Sequence, residues 1–108
     1  MLYYLESFRY PEFPGGTVAW NKFLVSVFKY PENSRYKGMN EIVVVGFVVN
    51  SDGSLSDFKL TSGIKECPPC DEEAMRIARV MRAWTPGQEY GKNAKMNGQV
   101  AIPFKYLK

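Results

Sequence analysis

The sequence predicts an α+β fold in which two helices pack on one face of a small three-stranded antiparallel sheet, in the order α-β-β-α-β. Three observations predict it. Apolar residues recur at helical spacing in two stretches, one following Thr17 and one following Asp71. The runs Ile42 to Leu60 and Gln99 to Tyr106 are instead rich in β-branched and aromatic residues, and Phe58, Leu60 and the last run follow the strand period of two. Clusters of Gly, Pro, Asn and Asp separate these stretches, as turns require.

Taken in order, residues 1–16 read as an irregular, aromatic segment in which "YPEFPGG" packs two prolines and two glycines into seven positions and marks a turn into a helix. Thr17 is the start signal of the first helix. Ala19, Phe23, Leu24, Val27 and Phe28 follow on one stripe, and Pro31 stops the pattern just after Tyr30. A hairpin comes next: a dense apolar run from Ile42 to Val49, the turn cluster Asn50-Ser51-Asp52-Gly53, then a second run with Phe58 and Leu60 alternating. The first run is apolar at nearly every position, so either both its faces are covered or it lies mid-sheet; it is expected to be the central strand. From Asp71 the helical period returns, with Ala74, Ile77, Ala78, Met81 and Trp84 on one stripe and Glu72, Arg76, Arg79 and Arg82 off it. Glu72 and Glu73 in its first turn and Arg79 and Arg82 in its last suit the helix dipole. The stretch "TPGQEYGKNAKMNG" reads as a loop, after which Val100, Ile102, Phe104 and Tyr106 alternate with Ala101, Pro103 and Lys105 in a final strand.

The chain's 108 residues suffice for one domain, here expected to span 1–108, and are too few for two separate cores. A hydrophobic fraction of 45% argues for a packed domain rather than disorder. The longest strongly apolar run falls far short of the roughly 18 residues a membrane helix needs, so this chain is not expected to span a membrane. "MLYYLESF" does not resemble a secretory signal, so any export signal is expected upstream or already removed. A net charge of +3, from 14 basic and 11 acidic residues mostly intermixed, gives no steering toward nucleic acid.

The chain has no histidine, which removes Ser-His-Asp and Cys-His arrangements, and it has no phosphate loop. No cofactor is expected. Gly15-Gly16 suits a plain turn and helix start better than an anion site. Cys67-Pro-Pro-Cys70 precedes the second helix, where a dipole stabilises a thiolate, as in thiol-disulfide redox proteins. Against redox catalysis, the motif follows a hairpin and Asp71, Glu72 and Glu73 disfavour a thiolate beside it. A structural bridge in an oxidising compartment or a pair of free thiols is favoured over redox catalysis. Two cysteines without further Cys or His ligands do not make a metal site.

Pro103 is the most informative residue of the last strand. Proline has no N–H to donate and is found in sheets mainly on edges or at bulges, so the strand from Gln99 to Tyr106 is expected at an edge. Two readings follow: Pro103 guards the edge against adventitious pairing, or the edge receives a partner's strand and Pro103 limits the register.

In this order, "PEFPGG" (11–16), "YPE" (30–32), "VVVGFVVNSDGSLSD" (43–57), "CDEEAMRIARVMRAWTPG" (70–87) and "VAIPFKY" (100–106) resemble the C-terminal domain of TonB, the energy transducer of outer-membrane transport, in its Bacteroidetes form. The resemblance implies the same α+β fold and a non-enzymatic protein-binding module. It implies that the last strand pairs with the TonB box of an outer-membrane transporter, which assigns partner binding to Gln99, Val100, Ala101, Ile102, Pro103, Phe104 and Lys105, with Tyr30 and Pro31 as the Tyr-Pro motif. It further implies a periplasmic location as the soluble end of a protein anchored in the inner membrane. The membrane helix and proline-rich spacer of such transducers are not in this sequence, so inner-membrane motor proteins would be reached only through upstream segments. Other readings are a thiol-disulfide protein using Cys67 and Cys70, a self-associating domain that pairs its edge with a second copy, and the sensor end of a membrane signalling protein.

Overall fold

The structure, a computed structural model, describes residues 7–29 and 41–104. Its elements are α1 (Gly16–Val27), β1 (Ile42–Val49), β2 (Leu55–Ser62), α2 (Pro68–Val80), β3 (Gly87–Glu89), β4 (Lys92–Ala94) and β5 (Met96–Pro103). Strands β2, β1 and β5 form an antiparallel sheet in that spatial order, with β1 in the middle, and β3 and β4 form a separate two-stranded sheet. The two helices and the three-stranded sheet are those the periodicities predict. The small sheet lies in the stretch read as a loop. Its signal was the Tyr90-Gly91 pair, since both residues have positive φ (53° and 79°), as a tight hairpin turn demands.

The core lies on one face of the sheet. Val43, Val45, Phe47 and Val49 of β1 and Val100 and Ile102 of β5 are buried, because side chains two apart along a strand share a face. Cys70, Ala74, Ile77 and Ala78 of α2 and Leu24 of α1 join the same buried cluster. Each valine, leucine or isoleucine among them, once fully buried, contributes about 1.5–3 kcal/mol relative to exposure. Val44 and Val48, on the opposite face of β1, are only half-buried. β1 is apolar throughout because it is central, with a neighbour on each side, and not because helices cover both faces.

Both helices begin earlier than the sequence suggests. α1 starts at Gly16 after Gly15, whose φ of 88° turns the chain into the helix without a side-chain cap, so Thr17 is not the cap. It ends at Val27, short of Tyr30, where Phe28 turns to extended backbone (ψ 132°) and returns its N–H to the Leu24 carbonyl. α2 starts at Pro68, with prolines in its first two positions, where no intrahelical donor is lost. Its first turn holds Asp71 and its last Arg79, while Met81 ends it and Arg82 and Trp84 lie beyond. Trp84 is buried all the same, since the strand-turn glycine Gly53 receives it: the Trp84 N–H donates to the Gly53 carbonyl at 2.9 Å. A Cβ at Gly53 would stand 2.5 Å from the Trp84 carbonyl oxygen, and its φ of 90° independently requires glycine.

Glu73 and Arg76 tie α2 to the end of α1. The Arg76 guanidinium binds both Glu73 carboxylate oxygens, at 2.8 and 2.7 Å, and donates to the Val27 carbonyl at 2.5 Å. The Lys29 amide donates to Glu73 at 2.6 Å. The carboxylate beside it raises the Arg76 pKa.

Candidate functional site

β5 is an edge strand: among the described residues β1 pairs along one side of it and no strand lies along the other. Its eight residues pair with β1 in unbroken register, from Val49 opposite Met96 to Ile42 opposite Pro103. Just past the strand, the Phe104 N–H donates to the Glu41 carbonyl at 3.1 Å. Hydrogen-bonding direction alternates along an antiparallel strand, so the backbone of Ile102, Val100, Gly98 and Met96 also faces β1. The N–H and C=O groups of Asn97, Gln99 and Ala101 therefore point outward, and the missing N–H of Pro103 falls on that outward side. Proline costs the internal ladder nothing there and ends the outward one.

A groove of about 420 Å³ runs beside this edge, lined by Gln99, Val100 and Ala101 on one side and by Glu12, Phe13, Gly16, Thr17 and Trp20 on the other, with Trp84. The far wall is held by the segment read as irregular. Arg9 exchanges backbone hydrogen bonds with Gln88 at 3.0 and 2.9 Å, and Glu12 with Thr85 at 3.1 and 2.9 Å, so the segment lies antiparallel to residues 85–88. Phe13 then packs edge-on against Trp20 and Trp84, with ring centroids 5.4 and 6.1 Å apart. Trp84 reaches Phe47 at 5.0 Å, and Phe47 lies over Gly98, where a Cβ would meet the ring at 2.9 Å. A continuous aromatic path thus connects the groove to the core beneath β5. The Trp84 indole Nε1 is buried with no hydrogen-bond partner among the described residues, leaving a donor that a buried polar group would ordinarily satisfy.

The residues that the resemblance assigns to partner binding divide by geometry. Gln99 and Ala101 are exposed and turn their backbone outward, and Pro103 is half-buried beside them. Val100 and Ile102 face the core, and Phe104 is wholly buried, edge-on to Phe28 at 5.1 Å. Tyr30, Pro31 and Lys105 lie outside the described residues. Phe13, Trp20 and Trp84 were not singled out as site residues by sequence reasoning. Trp84 sits on the helical stripe, which reads as core, and only the fold brings it to Trp20.

Cys67 and Cys70 are joined by a disulfide with Cα atoms 5.2 Å apart, and both are fully buried. Cys67 caps α2, its sulfur accepting the Cys70 N–H at 3.1 Å. Asp71 accepts the Ile64 N–H at 2.9 Å, fixing the chain that leads in. The bridge closes a helix start, and a bond sealed from solvent offers no sulfur to an attacking thiolate. Among the described residues, no group of three or more His, Cys, Asp or Glu could hold a metal ion, and no helix is long and apolar enough to cross a membrane.

A family model described as Gram-negative bacterial TonB protein C-terminal matches residues 26–106. No curated protein and no solved structure matches the chain at a significant level. The matched span runs from the end of α1 past the end of β5, so it takes in the whole three-stranded sheet, α2 and the edge strand, in the order the sequence resemblance implied. By its sequence match and its α+β architecture, the chain belongs to the TonB C-terminal domain family.

Proposed function

We propose that this chain is the periplasmic partner-binding module of a TonB-like energy transducer, which captures the TonB box of outer-membrane transporters by adding their extended segment to β5. The observation that carries the reading is the regular, outward-facing edge of β5. Asn97, Gln99 and Ala101 each offer an N–H and a C=O there, and Pro103 sets the end of the ladder. Added-strand recognition draws affinity from such backbone groups and specificity from pockets for alternate side chains. A single unit spanning 1–108 suffices for binding. The sealed disulfide supports a non-catalytic role over thiol-disulfide exchange.

The test is a titration of the ¹⁵N-labelled chain with N-terminal peptides of the host's outer-membrane transporters, alongside scrambled controls. Strand addition predicts larger amide shifts at residues 97, 99 and 101 than at 98, 100 and 102, because only the former gain a hydrogen bond. Specific shifts elsewhere, or none with any transporter peptide, would overturn the reading.

A further inference from the structure

A strand added to β5 places its residues on the two faces of the sheet in alternation. The residue opposite Val100 shares Val100's face, which is the face of the groove. It sits between the positions bonded to Gln99 and Ala101, in a non-hydrogen-bonded pair, where facing side chains approach most closely if the strands are antiparallel. From the strand-addition reading, on which this step rests, we infer that the groove is a side-chain pocket and that Trp20 determines its specificity. The occupant is an extended segment of another protein that carries a branched aliphatic residue at this one position.

The chemistry of the walls sets that choice. Phe13, Trp20 and Trp84 present aromatic surface, and among the described residues the one charged group lining the groove is Glu12, which disfavours an acidic neighbour on its flank. A second copy of this chain does not meet these terms. Its Val100 and Ile102, the branched aliphatic residues of β5, are already packed in its own core, so its β5 has no free branched aliphatic side chain to insert. Its Pro103 would also leave an opposing carbonyl unpaired.

The chain's two tryptophans both line the groove, so their indole signals report its occupancy. The probes are two capped heptapeptides, acetyl-Ser-Gln-Ser-Ile-Ser-Gln-Ser-amide and its Thr-centred counterpart. They match in strand propensity and differ in apolar area. Titrated into the full ¹⁵N-labelled chain up to millimolar concentration, the Ile peptide is expected to bind about tenfold more tightly. It should shift the amides of 97, 99 and 101 together with both indole N–H resonances. Trp20→Ala, at a half-buried position, should reduce the preference to less than about threefold while the β5 amides still shift. Thr17→Trp, which fills the groove from its exposed rim without touching the core, should weaken the Ile peptide and spare the Thr peptide. Equal binding of both peptides with β5 shifts would overturn the pocket and leave strand addition standing. Absence of β5 shifts with either peptide would overturn the pocket, while strand addition itself stands or falls with the transporter peptides. Shifts that follow protein rather than peptide concentration would assign the edge to a second copy, which also overturns the pocket.

Discussion

The sheet has two edges, and they are built in opposite ways. β2 meets β1 with two register breaks, between Val44 and Val45 and between Gly46 and Val48. At the second, Asp57 and Phe58 together oppose Phe47, and Asp57 adopts a left-handed φ of 55°. Extra residues of this kind bend a strand and increase its twist, and β2 adds an exposed lysine, Lys59, to the same stretch. These are the devices by which proteins keep edges from pairing. β5 has none of them: its register is unbroken over all eight pairs, and its single guard is Pro103 at the far end. The β5 edge is thus regular beside an aromatic groove, while the other edge of the sheet is bulged and carries an exposed lysine.

The sharpest way to break this comparison is a pair of proline substitutions one residue apart. Val100→Pro removes a bond to β1 and a buried side chain, and should cost on the order of 3 kcal/mol or unfold the chain. Ala101→Pro removes an outward N–H, as Pro103 does naturally. It should leave thermal stability within about 1 kcal/mol of the parent, because the internal ladder is intact, yet weaken transporter peptides about tenfold. Chemical denaturation and peptide titration on both variants decide it; equal destabilisation would mean the alternation on β5 is misassigned.

Next in size is removal of the guard. Pro103→Val restores an outward donor and should raise self-association measured by light scattering against concentration. Lys59→Val on β2 should not, since the bulges remain. Self-association of both variants alike would remove the distinction between the edges. A smaller effect is expected from Asp57→Gly, which relieves a left-handed residue and should stabilise the fold by up to about 1 kcal/mol without changing peptide affinity.

The smallest concerns the turn between β1 and β2. The Asp52 carboxylate accepts the Ser54 hydroxyl at 2.6 Å and the Ser54 amide at 2.9 Å, and these bonds hold its pKa below the ordinary carboxylate value. A depressed carboxylate contributes above its unfolded pKa, and the contribution is lost as pH falls through its folded value. Amide shifts at Asp52 and Ser54 should therefore titrate at lower pH than those of an ordinary carboxylate, and Asp52→Ala should abolish that titration without altering peptide binding to β5.

Much of this could be read without coordinates, for identifiable reasons. Periodicity is local, so the alternation of Val100, Ile102 and Phe104 and the helical stripe through Ala74 and Ile77 show in the residues themselves. Pro103 marks an edge because its missing donor must face away from a partner strand. The β3–β4 hairpin escaped because three-residue strands carry too few side chains to display a period, and helix starts escaped because Gly15 and Cys67 turn the chain by backbone geometry and a sulfur acceptor. The sequence by itself determined the helices, the central and edge strands and the resemblance to the family, all of which rest on residue type at short spacing. Only the tertiary structure decided that Phe13, Trp20 and Trp84 meet beside β5. Those three residues are spread over much of the chain, and their approach depends on the Gly53 turn receiving Trp84 and on Arg9 and Glu12 pairing with residues 85–88.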